Sequence, residues 1–420
     1  MIKMVKRGKK KVKRFVNKYG YRDGMKVTIA KAWYKFIGRP TIKILKKMIN
    51  KGNDHYIVME SRPDFTDNAR ALYDYMIEKN YNKKYHIIWL VDSPEFYKEY
   101  RCKNVKFVRK FGKYHRSRTV AAYYYTLKSK YVIFTHACRW VEKKNKNQMY
   151  LNLWHGCGYK AAREEEGMTN VFDYCLVPGD VFVETKKQFF CCGADKILAL
   201  GYPRYNLLKK NNPKAKEFLN QLNPNAVKNI LWMPTFRDSE QLLHYEDPIP
   251  AIIGFPLMRT VYDFQKLDEL SRAAKVNLII KWHRNSSHCN GEKVNYTNVF
   301  YLDNDDLAEN NLQLYELIGE TDALITDFSS VAIDYLLLDK SIGFTMDDYD
   351  DYERTRGFVF EDAKKYMPGT YMYNLEDLGR FLHDIAEGKD EFKAKRDAIM
   401  PETHNQTEDY CARILEKFGI

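Results

Sequence analysis

Two successive parallel α/β domains of the doubly wound kind are the architecture this sequence predicts, and three observations carry the reading. The chain has 420 residues with 45% hydrophobic and 30% charged side chains, enough to build two cores rather than one enlarged core. Short apolar runs alternate with helix-like stretches, the rhythm of strands that pair in parallel through helical crossovers. A stretch rich in Pro and Asn, Asn211 to Asn225, then interrupts that rhythm before a second series begins, and it marks a junction.

In the first series, Tyr56 to Met59 reads as a strand. Asn68 to Glu78 reads as a helix with Ala69, Leu72, Tyr73, Met76 and Ile77 on one face, and His86 to Val91 as the next strand. Tyr131 to Thr135, Tyr150 to Trp154, Tyr174 to Val177 and Ile197 to Leu200 continue the pattern. The second series gives strands at Ile230 to Met233, Asn277 to Lys281, Val299 to Leu302, Ala323 to Thr326 and Ser341 to Phe344. Its helices fall at Val261 to Ala274, Leu312 to Gly319 and Ser330 to Leu338. The expected division is a basic arm at 1–51, a first domain at 52–225 and a second at 226–420. In such folds a ligand lies in the cleft at the carboxyl ends of the strands.

The net charge of +14 is unevenly placed. Residues 1 to 51 hold about 18 Lys or Arg against the single acid Asp23, so the arm carries roughly +17. Lys98 to Lys146 adds roughly +13, and everything after it sums near -13. The arm also carries Phe15, Tyr19, Tyr21, Trp33, Tyr34 and Phe36. Such a segment suits an anionic membrane surface, where the rings sit at headgroup level. Nucleic acid would attract the same charges, but no RNA-recognition, zinc-finger or helix-turn-helix signature accompanies them, and a solvated tail is the bland alternative. Arg109 to Leu127, with Lys110, Lys113, Arg116 and Arg118 ahead of Val120 to Tyr125, reads as a basic amphipathic helix, either on a membrane or packed with a basic outer face.

No apolar run approaches the ~18 to 20 residues of a spanning helix, and no apolar h-region follows the basic N-terminus, so a cytoplasmic protein is expected. Eight cysteines without C-x-x-C or zinc spacing point to reduced, mostly buried thiols. No cofactor and no metal is implied. The acid clusters Asp303 to Asp306 and Asp347 to Asp351 do not follow strands as a metal-binding D-x-D would, and are read as loops and caps. P-loop, G-x-G-x-x-G and G-x-S-x-G patterns are absent, which removes the P-loop kinase, dehydrogenase and hydrolase readings.

The sharpest local feature is the run Ala323-Leu-Ile-Thr326-Asp327-Phe-Ser329-Ser330-Val-Ala-Ile-Asp334, an apolar strand, a polar turn and a helix start. Free backbone N–H groups and two hydroxyls there form an anion site; alternatively Asp327 or Ser329 only caps the helix. His283 follows an apolar strand, with Lys281, Trp282 and Arg284 around it. His155 follows another, in Trp154-His155-Gly156-Cys157-Gly158, where glycines admit a ligand to the backbone. Either histidine could be structural. One from each half, both at strand ends, shifts the balance toward acid–base catalysis. Arg204 and Arg237 offer planar forks for phosphate or for surface ion pairs.

With those residues in view the chain resembles the CDP-glycerol glycerophosphotransferase family, the teichoic-acid primases and polymerases of Gram-positive bacteria. The resemblance rests on an ordered set: Glu60-Ser-Arg-Pro with Asp67-Asn-Ala-Arg-Ala-Leu-Tyr, Leu153-Trp-His-Gly, Gly201-Tyr-Pro-Arg, Pro234-Thr-Phe-Arg-Asp, Ile280-Lys-Trp-His, Thr326-Asp-Phe-Ser-Ser with Asp334-Tyr, and Arg356-Gly-Phe. It departs from the family's pattern at Cys157-Gly158, where Thr-Pro is usual, and at Arg284, where proline is.

The resemblance implies a GT-B fold, two Rossmann-like domains facing a central cleft, peripheral on the inner face of the cell membrane. It further implies a CDP-polyol donor, a lipid-linked glycan acceptor, an anionic membrane surface as partner, no nucleic acid, and a homo-oligomer left open. His155 and His283 are then the catalytic residues. The matched motifs make Trp154, Gly156, Cys157, Gly158, Arg204, Pro234, Thr235, Arg237, Lys281, Trp282, Thr326, Asp327, Ser329, Ser330 and Asp334 substrate-binding. Ribitol-phosphate transfer and nucleotide-sugar glycosyl transfer in capsule synthesis are the rival reactions.

Overall fold

The structure is a computed structural model, and it describes residues 25–112, 118–136, 144–161, 171–235, 255–260, 262–281 and 296–420. By internal contacts the chain divides into two compact units. One holds residues 1–153 with 170–174, the other 154–169 with 175–420.

Strands β1 (Asn53–Glu60), β2 (His86–Val91), β3 (Val105–Arg109), β4 (Ser129–Phe134) and β5 (Met149–Asn152) belong to the first unit. They lie in the order β3-β2-β1-β4-β5, the start of a seven-strand order that β6 (Tyr174–Leu176) and β7 (Ile197–Leu198) complete. Ile57 stands opposite Ile87 and Tyr131 in parallel register. From Ile87 to Val91 the strand is wholly buried, as expected where helices cover both faces of a parallel sheet. The second unit holds a six-stranded parallel sheet of β8 (Lys228–Met233), β9 (Val276–Lys281), β10 (Val299–Leu302), β11 (Ala323–Thr326), β12 (Ser341–Thr345) and β13 (Thr370–Met372), in the order β10-β9-β8-β11-β12-β13. The order reverses between β8 and β11, the place where open α/β sheets bind ligands.

One expectation for the first unit changes. The segment read as one basic helix is a strand, a bridge from Phe111 to Arg118, and a helix confined to Val120–Lys128 with Thr119 as its cap. Its charge is partly internal. Lys110 is buried against Asp64, Arg118 pairs with Glu60 at 2.5 Å, and Arg109 reaches Glu95 at 2.9 Å. The arm, from its helical residues 39–48 onward, packs against the helix Val120–Lys128, and Asn145 donates to the Ile49 carbonyl at 2.8 Å.

The acid clusters do follow strands, contrary to expectation, and the first of them still serves as a cap. Asp303 comes directly after β10 and accepts from the Asp305 and Asp306 amides in a capping box. Asp347, just beyond β12, accepts from the Leu257 amide at 2.9 Å. Of the six described cysteines, Cys157, Cys175 and Cys411 are buried while Cys102 and Cys191 are exposed, so burial is less general than expected.

The chain's end returns onto residues 178–206 within the second unit. Tyr410 packs edge-on against Tyr205 at 5.1 Å, and the buried His404 lies 5.7 Å from the same ring. Burial, helped by the charge of Lys209, pushes the His404 imidazole down to about 3. The unfolded chain therefore takes up a proton near pH 6.5 that the folded chain refuses until pH 3. Stability contributed by the neutral ring is present above 6.5 and is lost as pH falls through that window. At pH 5 the loss from this one group is about 2 kcal/mol. Urea midpoints at pH 7 and pH 5 should consequently lie closer together in His404→Gln than in the parent chain; equal spacing in the two proteins would contradict the assignment.

Candidate active site

The loop that follows β5 is built to a shape that few sequences allow. Trp154 takes a positive φ of 54°, and Gly156 takes 138°, a conformation reserved for residues without a side chain. A Cβ on Gly156 would also stand 2.5 Å from Ser330 Oγ. One on Gly158 would meet the Ser330 Cα and N at 2.8 and 2.9 Å. The two glycines thus let this backbone lie directly on the Ser329-Ser330 turn, which explains the His-Gly-Cys-Gly spelling.

Three further ties hold the loop within the second unit. Arg204 donates from Nη1 to the His155 carbonyl at 3.1 Å. Cys157, buried, places its Sγ 3.1 Å from the Tyr202 hydroxyl, and burial pushes its thiol up, the opposite of an activated nucleophile. Tyr159 to Ala161 run antiparallel to Gly357 to Val359, with backbone bonds of 2.7 Å to Tyr159 and 3.1 Å to Gly357. This pairing gives the Arg356-Gly-Phe motif a structural task. Phe358 in turn packs on Phe328 at 5.2 Å and stacks on Tyr349 and Tyr352, an aromatic layer beneath the Ser-Ser turn. Held this way, His155 remains exposed, its ring tilted by 37° against Trp154 at 4.1 Å. Trp154 itself is buried between Phe189, Phe190 and the Lys186 ammonium.

The turn after β11 departs from the capping alternative. Asp327 is fully buried and both its oxygens accept from the Thr235 amide at 2.9 Å, with the Thr235 hydroxyl at 2.5 Å. Ser330 occupies the cap position in helical conformation, and its side chain makes no capping bond. The helix it opens is short, Val331–Tyr335, and continues as a 3-10 turn, Leu336–Leu338. Thr326 donates to the Met233 carbonyl at 2.7 Å. Asp327 and Thr326 therefore join the end of β11 to the Pro234-Thr235 loop beyond β8.

Arg204 and Asp334 form a buried pair at 2.6 Å. Tyr205 and Tyr315 also donate their hydroxyls to Asp334. Burial pushes the Asp334 carboxyl up, opposed by the Arg204 charge and the two phenol donors. Lys281 ends β9 with its ammonium mostly buried; desolvation pulls it below the usual range, and Asp303 and Asp306 oppose that shift. His283, Trp282 and Arg237 lie outside the described residues.

The structure thus brings together Trp154, His155, Gly156, Cys157, Gly158, Arg204, Ser330 and Asp334, and separately Thr235, Thr326 and Asp327. Sequence reasoning missed Tyr202, Tyr205 and Tyr315. The first two border Arg204 in its motif, whereas Tyr315 stands in the helix Leu314–Glu320 with no local signal. The motifs of the first unit prove largely architectural. Ser61 accepts from the Thr66 amide, Arg70 lies 4.0 Å over the Phe65 ring, and Asn68 donates to the Leu153 carbonyl at the foot of the loop.

A chain of two parallel-sheet units, with a His-Gly loop seated on an Asp-x-Ser-Ser turn at the switch point of its second sheet, is an α/β enzyme of the GT-B kind. The chain belongs to the family described as CDP-Glycerol:Poly(glycerophosphate) glycerophosphotransferase, whose sequence profile matches residues 43–414. The chain is thus a member of a glycerophosphotransferase family of teichoic acid biosynthesis. It is 26% identical over 383 residues to the teichoic acid glycerol-phosphate transferase of Staphylococcus aureus, covering 84% of this chain and 88% of that one. It is 25% identical to the teichoic acid poly(glycerol phosphate) polymerase of Staphylococcus epidermidis, covering 82% of this chain but 47% of the relative, about half its length. The glycerol-phosphate primase of Bacillus subtilis matches at 23% over 75% of this chain and 80% of its own. A solved structure of the wall teichoic acid polymerase TagF superposes with a TM-score of 0.69 at 21% identity, covering 94% of this chain and 97% of that one, a likeness of fold. Among the described residues no helix is long and apolar enough to cross a membrane.

Proposed function

We propose that the chain transfers sn-glycerol 3-phosphate from CDP-glycerol to a hydroxyl of a lipid-linked glycan acceptor and releases CMP. The observation that carries the reading is the seating of the His155 loop on the Ser330 turn through Gly156 and Gly158, with the His155 side chain left exposed. In the reaction the acceptor oxygen forms a bond to the β-phosphorus as the bond from that phosphorus to the bridging oxygen of CMP breaks. His155, in its neutral form, takes the hydroxyl proton. Ser329, Ser330, Lys281 and His283 hold the pyrophosphate and stabilise the charge that collects on CMP, the electrostatic work on which phosphoryl transfer chiefly depends. In this reading Pro234 and Thr235 contact the base and Arg237 offers its planar fork to a donor phosphate.

The arm is the proposed membrane-docking surface. Met25, Ile29, Trp33, Phe36, Ile37, Ile44 and Met48 are all exposed, at spacings that follow a helical turn, while Val27 and Ile42 are buried. Lys26, Lys31, Lys35, Arg39, Lys43, Lys46 and Lys47 accompany them, so the same segment offers rings and aliphatic chains to the acyl boundary and cations to anionic headgroups.

Donor choice is tested with CDP-glycerol, CDP-ribitol and UDP-sugars, each offered with a lipid-linked disaccharide on anionic vesicles. CMP should be released from CDP-glycerol in preference to CDP-ribitol, and only with acceptor present; preferential release from CDP-ribitol, or UDP release, would overturn the donor assignment.

A further inference from the structure

We propose that Arg204, Asp334 and Tyr315 are positioning residues for the His155 loop and that they act by fixing the His155 carbonyl. This deepens the reading above and rests on His155 as the general base. The motif resemblance suggests instead that Arg204 and Asp334 contact the donor, but the geometry points elsewhere.

The Arg204 side chain is 5% exposed and that of Asp334 1%. The guanidinium is already engaged on several sides. One terminal nitrogen donates to Asp334 at 2.6 Å, and the other to the His155 carbonyl at 3.1 Å. The Tyr315 ring lies 4.3 Å and the Tyr202 ring 5.1 Å from its central carbon. A planar fork can hold two acceptors at a fixed separation, which a single ammonium cannot do. Asp334 is fixed in its turn. One of its oxygens accepts from Tyr205 and the other from both Tyr315 and Arg204. The result is a rigid strut from the helix Leu314–Glu320 through Asp334 and Arg204 to a loop carbonyl. Gly156 lies against the same guanidinium, where an added Cβ would stand 3.3 Å from Nη2. A phosphate ligand at Arg204 would have to displace one of these partners or reach Nε, which is buried. A carbonyl partner next to the catalytic imidazole needs no displacement, and it sets the direction in which the ring leaves the backbone.

Two variants test the strut by steady-state kinetics with CDP-glycerol and the vesicle-borne acceptor. Arg204→Lys keeps a cation for Asp334 but cannot serve both acceptors; Tyr315→Phe keeps the ring and removes only the hydroxyl. Misplacing a catalytic group by about 1 Å can cost on the order of 100-fold, so kcat should fall about 10- to 100-fold in Arg204→Lys and several-fold in Tyr315→Phe. The KM for CDP-glycerol should stay within about threefold in both, because the donor does not touch the strut. A tenfold rise in that KM with kcat intact would make Arg204 a donor contact and overturn the proposal. Unchanged kinetics in both variants would overturn it too. If Arg204→Lys does not fold, Tyr315→Phe alone decides. His155→Ala run in parallel separates the two levels. Loss there with normal kcat in the strut variants defeats only the strut, while full activity in His155→Ala defeats the general-base reading beneath it.

Discussion

Replacing His155 with alanine should lower turnover about 100-fold or more, the usual scale for a lost acid–base group, while leaving the fold intact. The side chain is exposed and the loop beneath it is held by other atoms: the Arg204 bond goes to the His155 carbonyl, which alanine retains, and Gly156 and Gly158 keep their contact with Ser330. The thermal midpoint should therefore barely move, since exposed substitutions away from such contacts seldom change stability by more than ~0.5 kcal/mol. Rates and melting curves measured on the same preparation check both halves. A folded variant with parental turnover would remove His155 from the mechanism.

The second large effect is expected at the membrane. The triple variant Trp33→Ala, Phe36→Ala, Ile37→Ala removes three exposed side chains from one stripe of the arm. At about 1 kcal/mol for each partly inserted side chain, affinity for anionic vesicles should fall by roughly 100-fold. Binding that persists should be more sensitive to salt, because the remaining attraction comes from Lys31, Lys35, Arg39 and their neighbours. Point substitutions suit this test better than truncation at residue 51, since helical residues 39–48 pack against the helix Val120–Lys128 and the Ile49 carbonyl is bonded to Asn145. Turnover of a soluble acceptor should be unaffected. Vesicle affinity equal to that of the parent would show that the stripe does not dock.

How much of this was readable in advance depended on how local each cause was. Strands such as His86–Val91 and Ala323–Thr326 were legible because a parallel strand buried on both faces is a continuous apolar run. Val105–Arg109 was hidden, because Lys106 and Arg109 break the run, and the charges that follow invited a helical reading from Arg109 to Leu127. The correction there came from partners far along the chain: Asp64 for Lys110 and Glu60 for Arg118 are invisible to any local pattern. The last 75 residues yielded no elements in advance, although Leu378, Phe381, Leu382 and Ile385 fall at the spacing of one helical face and are buried as such. At the site, His155, Arg204, Ser330 and Asp334 stood out as motif residues, His155 of them at a strand end, yet their relation did not. A hydrogen bond to a main-chain carbonyl leaves no mark in the sequence, and Tyr315 looks like any tyrosine on a short helix. Asp327 was legible as a residue but not as a role, since its acceptor work for Thr235 spans 92 positions.

The central claim is that the chain moves a glycerol phosphate onto a lipid-linked acceptor, and mass analysis of that acceptor after incubation with CDP-glycerol tests it most directly. The account predicts an acceptor heavier by one glycerol phosphate or by whole multiples of it, formed in step with CMP and absent with the His155→Ala variant. An acceptor of unchanged mass, or one that gains a hexose when nucleotide sugars are supplied instead, would contradict it.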